Sequence, residues 1–482
     1  MKDRFLSSIE FEETIKSRSI LIRNALILIA TCVSVGILLS YIGFNLKQTL
    51  ASSVFLSTVL GTLMFWNFRL GIAFIGIALL LFTKALSLEY FIEYASLDVI
   101  MVLIGLMIIV GMLKDVGFFD WLEIKLFKFS KFSAKRFIVC IGIISTLLAC
   151  IVDEVTSIIF ISNLIFSICS NYGISAVPFI ILSVMATNVG SSGTMLGNPI
   201  GLLIGLKAKL SMDDFLIWSF PVTLLCLAVT LIIVLLWFSK EIAQLNEKMK
   251  LSKKEKIDKA SEISSKKEFK IGVVVFITTM ILIALHHHIE VMFNFGPNSI
   301  FVAAPLLGTG FIMLWKRNKA HYYIENDVNW WSLTFFMMLF AKAGALKFTG
   351  VTDIIGNNIV KFAGTEISIL LLFILLISAF SSSVLDNVVL VAALIPVVEN
   401  FRTVDVNIFP LWWALLFGGC YGGNITMVGS TANIVALGML EKNEKYHMKF
   451  SKWIGIGLTV GLATVFVAYM WLLVLHKFMP AG

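Results

Sequence analysis

The sequence predicts an all-α polytopic membrane protein built on an inverted repeat, with two re-entrant helical hairpins and two interrupted transmembrane helices. Three observations lead to this prediction. The composition is too apolar for a soluble protein, and two apolar segments with a central aspartate are too long for one membrane crossing. In addition, glycines and small polar residues interrupt an apolar segment once in each half of the chain, at matching places.

The composition indicates a membrane protein. Of the 482 residues, 59% are hydrophobic and 14% are charged, and the mean hydropathy is +0.94. A soluble protein needs more charge on its surface, whereas apolar runs of about 17–25 residues, long enough to cross a bilayer, recur here. Residues 1–19 mix acidic and basic side chains without a long apolar core, so no secretory signal is expected. The six cysteines lie in apolar runs, which argues against a disulfide framework.

The apolar segments predict the order of the membrane helices. Most have the length of one crossing, because about 20 residues of helix span the hydrocarbon core. The predicted segments are 20–43, 49–66, 69–87, 97–114, 136–170, 176–206, 214–238, 271–288, 298–315, 330–346, 367–400, 411–440 and 452–476.

The two over-long segments, 136–170 and 367–400, carry Asp153 and Asp386 near their middles. Each is either two crossings joined by a tight turn or a hairpin that enters and leaves on one side. Basic loops lie in the cytoplasm as a rule, and all basic stretches fall there if both segments are hairpins, the first entering from the cytoplasm and the second from outside. We therefore predict a multi-pass protein of the plasma membrane with a cytoplasmic N-terminus and an external C-terminus.

The two halves of the chain match each other at nearly constant offsets. Two pairs of segments match at an offset of 233 residues and a third at 232. An odd number of predicted crossings separates corresponding segments, so the repeat is inverted, as is typical of secondary transporters. The pairs are GMLKDVGFFD (111–120) with GALKFTGVTD (344–353), Asp153-Glu154-Val155 with Asp386-Asn387-Val388, and GSSGTMLGNP (190–199) with GGNITMVGST (422–431).

The hairpin tips are the candidate sites for a coupling ion or proton. An ionised carboxylate at the bilayer centre is costly, so it is expected to face a cavity and to bind a cation or a proton. Either aspartate could instead serve only as the N-cap of the second hairpin arm. Glu154, whose counterpart is neutral, either marks a proton-carrying half or faces cytoplasmic water. The tip candidates are Asp153, Glu154, Asp386 and Asn387.

The interruptions at 190–199 and 419–430 are the candidate substrate sites. Unpaired backbone is costly in lipid, so such breaks persist where protein or a water-filled space satisfies them. Glycine allows close approach of the backbone to a ligand, while hydroxyl and amide groups supply hydrogen bonds. The candidates are Thr156, Asn188, Gly190, Ser191, Ser192, Thr194, Gly197, Asn198, Asn424, Thr426, Gly429, Ser430 and Asn433.

At these residues the sequence resembles the arsenite permease and NhaD-type sodium–proton antiporter branch of the ion transporter superfamily. The motifs that carry the resemblance are VDEVTSIIF and LDNVVLVAALIP at the tips, and ATNVGSSGTMLGNP and GGCYGGNITMVGSTANIVALG at the interruptions. The resemblance implies an elevator-type fold, a homodimer, and ion-coupled transport without a covalent cofactor. It also implies that scaffold helices hold the dimer contact while the hairpins and interrupted helices form a moving transport unit.

The resemblance and the topology together divide the chain into parts. Residues 239–270 hold ten lysines against six acidic residues, which predicts a cytoplasmic, partly helical linker in preference to a nucleic-acid-binding element. The predicted parts are a cytoplasmic tail (1–19), scaffold helices of the first repeat (20–96), its transport unit (97–238, with hairpin 136–170 and broken helix 176–206), the linker (239–270), scaffold helices of the second repeat (271–329), and its transport unit (330–482, with hairpin 367–400 and broken helix 411–440).

Two departures from the family pattern stand in the first repeat. Glu154 follows the tip aspartate where family members usually have Asn, and Gly201 stands where they usually carry an Asn, whose counterpart Asn433 is retained. The dicarboxylate–sodium branch of the superfamily carries a Ser-Asn-Thr tip in each repeat. Neither tip here does, so citrate or succinate transport is less expected.

The predicted function is secondary active ion transport, most concretely proton-coupled efflux of an arsenite- or antimonite-like oxyanion. Na⁺/H⁺ antiport, sodium-coupled symport of a dicarboxylate or another anion, and an ion channel are the alternatives. No enzyme motif and no metal-ligand spacing occur, so we expect neither catalysis nor a cofactor beyond the coupling ion, H⁺ or Na⁺ or both, with Na⁺ at the Asp153 and Asp386 tips as the one metal-ion alternative. The expected partners are a small inorganic ion, the lipid bilayer and a second copy of the chain, with no nucleic acid; a separate ATPase subunit stays open.

One basic side chain within an apolar segment falls outside these sites. Lys342 lies in the apolar stretch FMMLFAKAGAL. A lysine near a helix end usually extends its ammonium group to the membrane interface, and this arrangement is expected here, with an anion contact as the alternative.

Overall fold

The computed structural model describes residues 18–65, 68–129, 133–251, 266–404, 406–444, 446 and 448–480. Within these ranges the chain is helical and contains no strand. The all-α prediction is therefore confirmed for this part of the chain. Part of the predicted linker, residues 252–265, lies outside the described residues.

The first half of the chain forms twelve helices in the described ranges. Most follow the predicted apolar segments, and α11 contains a π-helical turn at Phe215–Ser219. The helices are α1 Arg18–Tyr41, α2 Leu46–Met64, α3 Arg69–Phe82, α4 Leu88–Tyr94, α5 Leu97–Asp115, α6 Phe118–Phe129, α7 Ala134–Ile151, α8 Glu154–Tyr172, α9 Val177–Gly190, α10 Pro199–Ala208, α11 Met212–Trp237 and α12 Ser239–Leu251.

The second half of the chain is also helical in the described ranges, with three bent helix pairs. The helices are α13 Lys266–Ala284, α14 His286–Phe293, α15 Ser299–Trp315, α16 Arg317–Asp327, α17 Trp330–Phe348, α18 Val351–Ala363, α19 Ile367–Ser382, α20 Asn387–Asn400, α21 Phe409–Gly422, α22 Thr431–Glu444 and α23 Phe450–Leu475. The bend is 63° between α13 and α14, 103° between α15 and α16, and 69° between α17 and α18.

Membrane-spanning length is confirmed for several helices. In the described part of the chain, five helices are long and apolar enough to cross a bilayer, and up to eight if each bent pair is one span. The five are Leu21–Tyr41, Leu97–Asp115, Ala134–Ile151, Met212–Trp237 and Phe450–Phe478.

The four predicted helix breaks are present. The first interruption, residues 191–198, separates α9 from α10, and the second interruption, residues 423–430, separates α21 from α22. The first tip, residues 152–153, separates α7 from α8, and the second tip, residues 383–386, separates α19 from α20. The interruptions thus fall where the glycine-rich motifs predict them, within one residue of 190–199 and within four of 419–430.

The chain divides into two compact units. The first comprises residues 1–96 and 334–355, and the second residues 97–333 and 356–482. Inside the first unit, Lys342 is fully buried, and its Nζ lies 2.5 Å from the Thr58 hydroxyl. The expectation that this lysine extends to an interface is therefore wrong, because its side chain is enclosed by helices of the unit.

The second unit contains both tips and both interruptions. One apolar core of this unit is built from α7, α8 and α9 with parts of α11, α22 and α23. The start of the linker joins this core, since Ile242 and Leu245 of α12 are buried in it. At the far end of α22, the Glu444 carboxylate accepts hydrogen bonds from Ala176 N (2.6 Å) and the Ser175 hydroxyl (3.0 Å), so it supports the start of α9.

Candidate functional site

The first tip holds Asp153 as the N-cap of α8. Asp153 Oδ1 accepts hydrogen bonds from the backbone N–H groups of Val155 and Thr156, both at 3.0 Å. Its Oδ2 accepts a bond from the Thr156 hydroxyl at 2.6 Å. An Asp in this position satisfies N–H groups that the helix itself leaves free. The capping alternative raised by the sequence is therefore present at this tip.

The second tip repeats the capping with Asp386 at the start of α20. Asp386 Oδ1 accepts a hydrogen bond from Val388 N at 3.0 Å. The next residue, Asn387, is buried and accepts a hydrogen bond from the Ser382 hydroxyl. That hydroxyl also lies 2.6 Å from the carbonyl oxygen of Gly419. The second tip is thus attached to α21 through a serine.

Glu154 is the exception at the tips. Its Oε2 atom is sealed from solvent and receives no hydrogen bond from the described residues. Asp386 and Asp153 both lie within electrostatic range of its carboxylate. The Glu154 carboxylate therefore lies within electrostatic range of one aspartate from each half of the chain, and of these three carboxylates only Glu154 has an oxygen that is both buried and unbonded among the described residues.

A threonine of each interruption bonds to the backbone at or just before the tip of its own half. The Thr194 hydroxyl donates to the carbonyl oxygen of Cys150, near the end of α7, in the first half. The Thr426 hydroxyl donates to the carbonyl oxygen of Ser383 in the second half. The threonines correspond at the offset of 232 and the acceptors at 233, so both registers read from the sequence lead to one contact.

Two glycines allow the close approach of backbone that this arrangement needs. A Cβ atom at Gly190 would lie 2.7 Å from the Cα atom of Thr146. A Cβ atom at the corresponding Gly422 would lie 2.5 Å from the Cα atom of Ala379. Side chains at these distances do not fit, so α7 and α9 pack backbone to backbone, as do α19 and α21.

The two interrupted helices meet through a buried amide network. Asn188 Nδ2 donates to Asn424 Oδ1 at 2.8 Å and to Asn433 Oδ1 at 2.9 Å. In turn, Asn188 Oδ1 accepts a bond from the Ser430 hydroxyl at 2.9 Å. All four side chains are buried. Four of the thirteen predicted substrate residues, from both halves of the chain, therefore lie together at one crossing point.

Asn433, in the first turn of α22, bonds to the backbone of the second interruption. Its Nδ2 donates to the carbonyl oxygens of Gly423 and Thr426, both at 2.8 Å. The first interruption has Gly201 at the corresponding position and lacks such an amide. There Asn198 serves instead: its Oδ1 accepts a bond from Gly201 N at 2.8 Å.

The other predicted residues of the first interruption pack into it. Asn198 Nδ2 lies 3.0 Å from the Ser191 hydroxyl and 3.2 Å from Cys420 Sγ. The Ser192 hydroxyl lies 2.9 Å from both the Thr223 and the Tyr421 hydroxyls. Gly197 and Gly429 lie against backbone oxygens of their own interruptions.

The space beside the first tip is small. A cavity of about 30 Å³ borders Asp153, Asn198 and Pro199, with apolar walls from α5 and α13. Such a volume accommodates one or two water molecules. Among the described residues no group of three or more His, Cys, Asp and Glu side chains is placed to hold a metal ion.

Several residues of the network were not singled out from the sequence. The Thr146 hydroxyl donates to Ala186 O at 3.0 Å. The Ser382 hydroxyl donates to Gly419 O, and the Tyr421 hydroxyl lies 2.9 Å from the Ser192 hydroxyl. The sequence gives a partial signal for these residues, because the helices that pack against the interrupted helices correspond to each other at the same offset of 233 residues. A side chain's partner in another helix is nevertheless not visible in the sequence.

Comparison with known proteins identifies the family. A family model described as citrate transporter matches residues 60–418 and 349–481. The chain belongs to the citrate transporter family. It is therefore a multi-pass membrane transporter, and membership of a transporter family agrees with the expectation that the chain is not an enzyme.

Individual relatives of this citrate-transporter-family chain are named as transporters or carry names that state no function. An uncharacterized transporter of Mycobacterium tuberculosis is 29% identical over 384 residues, which cover 78% of this chain and 86% of that protein. An uncharacterized transporter of Synechocystis is 25% identical over 452 residues (88% and 98%). The human P protein is 25% identical over 460 residues, which cover 81% of this chain and 55% of that protein.

A solved structure shows the same fold. The crystal structure of the YdaH transporter from Alcanivorax borkumensis aligns with a TM-score of 0.57 at 15% sequence identity, and covers 84% of this chain and 90% of that one. The predicted helical transporter fold is thereby confirmed. The narrower prediction of the arsenite permease and NhaD-type branch stays a prediction, since the family found is the citrate transporter family.

Proposed function

We propose that the protein is a secondary active transporter in which the carboxylates of the two tips bind the coupling cation. The observation that carries the proposal is the buried, unbonded oxygen of Glu154 beside Asp153 and Asp386. A buried charge without a partner is strongly unfavourable. A cation that enters with the substrate or against it removes this cost, which couples cation binding to the state of the site.

The substrate is proposed to bind where the two interruptions cross. The groups there are amides and hydroxyls, among them Asn188, Asn424 and Ser430. These groups form hydrogen bonds with oxygen-rich solutes. We propose a small inorganic hydroxide or oxyanion such as arsenite or antimonite, exported in exchange for H⁺.

Two other substrates have a specific observation in their favour. The family model is described as citrate transporter, which favours a carboxylate carried together with a cation. The three carboxylates favour Na⁺/H⁺ exchange, because carboxylate oxygens suit both ions. These are the second and third candidates.

The transport cycle is proposed to follow an inverted-repeat, elevator-type mechanism. Equivalent bonds at Thr194 and Thr426, and equivalent glycine contacts at Gly190 and Gly422, support the repeat. Re-entrant hairpins, scaffold and transport units, a homodimer, and the cytoplasmic N-terminus with an external C-terminus belong to the same proposal.

Proteoliposomes test this function. We expect uptake or efflux of arsenite only when an opposing pH or Na⁺ gradient is imposed, with saturation at high concentration. Citrate and ²²Na⁺ are offered in parallel under the same gradients, and empty liposomes are the control. Asp386→Asn keeps an oxygen for the cap but removes a carboxylate, so coupled flux should fall several-fold; unchanged flux would contradict the role of the tips. Ohmic single-channel currents would overturn the transporter function as a whole.

A further inference from the structure

We propose that Glu154 sets the coupling stoichiometry: it adds one coupling cation per cycle in the first half, and the second half has no equivalent. The inference rests on the proposed function and extends it from the nature of the coupling to its number. It assigns different tasks to neighbouring carboxylates at one tip.

The two aspartates already have their charges compensated by the fold. Asp153 accepts two backbone N–H bonds and one hydroxyl bond at the start of α8. Asp386 accepts a backbone N–H bond at the start of α20. Helix N-termini stabilise negative charge, so both carboxylates have favourable local contacts.

Glu154 lacks this local compensation. It stands one residue further along, in the first turn of α8, and its Oε2 receives no hydrogen bond from the described residues. Cys420, whose Sγ is bonded to Asn198 Nδ2 of the first interruption, also lies within electrostatic range of the Glu154 carboxylate. The Glu154 carboxylate is therefore near residues of the first interruption, where a bound cation affects the proposed substrate groups.

The second half differs at the position that corresponds to Glu154. There Asn387 is neutral, and the Ser382 hydroxyl donates to its amide oxygen. The first half has Ala149 at the position of Ser382, so it lacks the hydroxyl as well as the amide. Both differences leave the first half with a less stabilised carboxylate. Glu154 adds a charge where Asn387 is neutral, and Ala149 lacks the hydroxyl donor that Ser382 provides.

Coupling ratios in proteoliposomes test the inference. The full chain, Glu154→Gln and Glu154→Asn are reconstituted, with arsenite and citrate as separate probes. The substrate ratio at zero net flux is measured against imposed pH and Na⁺ gradients, and the slope of its logarithm against that of the gradient gives the number of coupled cations. Substrate–substrate exchange without a gradient is measured in parallel, and thermal unfolding verifies that each variant is folded.

We expect the slope to be lower by one in both variants, while substrate–substrate exchange remains measurable above that of empty liposomes. Glu290→Gln is the matched control: Glu290 is a buried glutamate that accepts backbone bonds from Asn298 and Ile300 and lies outside the site, so its slope should not change. An unchanged slope in the Glu154 variants overturns the inference alone. Folded variants without exchange overturn it too, because they place Glu154 in substrate binding. If the unaltered chain moves neither probe against its gradient, the proposed function fails, and the inference fails with it.

Discussion

The two interruptions share a frame but differ in how their buried polar groups are satisfied. In the second, the Asn433 amide bonds to two carbonyl oxygens, Gly423 O and Thr426 O. In the first, Gly201 offers no side chain, and Asn198 makes fewer bonds within its interruption. The backbone of the second interruption is thus stabilised by an amide of the helix that follows it.

The tips differ in the same sense. The second tip ends in neutral, bonded Asn387, while the first ends in Glu154 with an unbonded oxygen. The contacts that hold the frame, made by the threonines and close-packed glycines, occur in both halves. The differences between the halves lie at Glu154 against Asn387 and at Gly201 against Asn433, so the corresponding segments share backbone contacts and differ in their polar side chains.

The largest expected effect tests the shared frame. Gly190→Ala and Gly422→Ala should each lower the free energy of unfolding by about 3 kcal/mol, because the new Cβ atom meets backbone that cannot move aside. Thermal unfolding of the purified protein in detergent measures this. Gly438→Ala is the control: nothing lies within 4 Å of its Cβ position, so it should be neutral or stabilise by up to about 1 kcal/mol. Equal melting temperatures for all three variants would contradict the close-packed frame.

The next prediction addresses the difference between the interruptions. Asn433→Ala should cost about 2–3 kcal/mol, because it leaves buried carbonyl oxygens without a donor. Asn443→Ala on the same helix is the control, since its amide is exposed and bonds only to Met439 O; a change within about 0.5 kcal/mol is expected there. If the two variants unfolded at the same temperature, the second interruption would not be stabilised by its amide.

The smallest expected effect returns to what the halves share. Thr194→Val and Thr426→Val should each cost about 1–2 kcal/mol, because each hydroxyl donates one hydrogen bond and accepts a second from Leu196 N or Val428 N. The two costs should agree within about 0.5 kcal/mol, because the bonds correspond. Thr459→Val, which loses only an exposed bond to Gly455 O, controls for the change in side chain. A large cost at one threonine and none at the other would break the proposed equivalence.

Much of the fold could be predicted because it depends on local and periodic properties. Apolar runs determine the membrane helices, and the glycines and small polar residues at 190–199 and 422–431 mark the interruptions. The position of an aspartate before a helix also predicts its capping role, although the sequence left this open beside ion binding. The burial of Lys342 could not be predicted, since it depends on which helices surround the residue.

The sequence by itself determined the all-α membrane class, the two tips, the two interruptions and the registers that relate them. These follow from hydrophobicity, backbone freedom and matched motifs, each of which is written in a short stretch of chain. Only the tertiary structure decided which groups come together: Asn188 bonds to Asn424 and Ser430, and Glu154 lies within electrostatic range of Asp386. Such contacts join residues more than 200 positions apart, and whether a polar atom has a partner depends on the packing of all the helices around it.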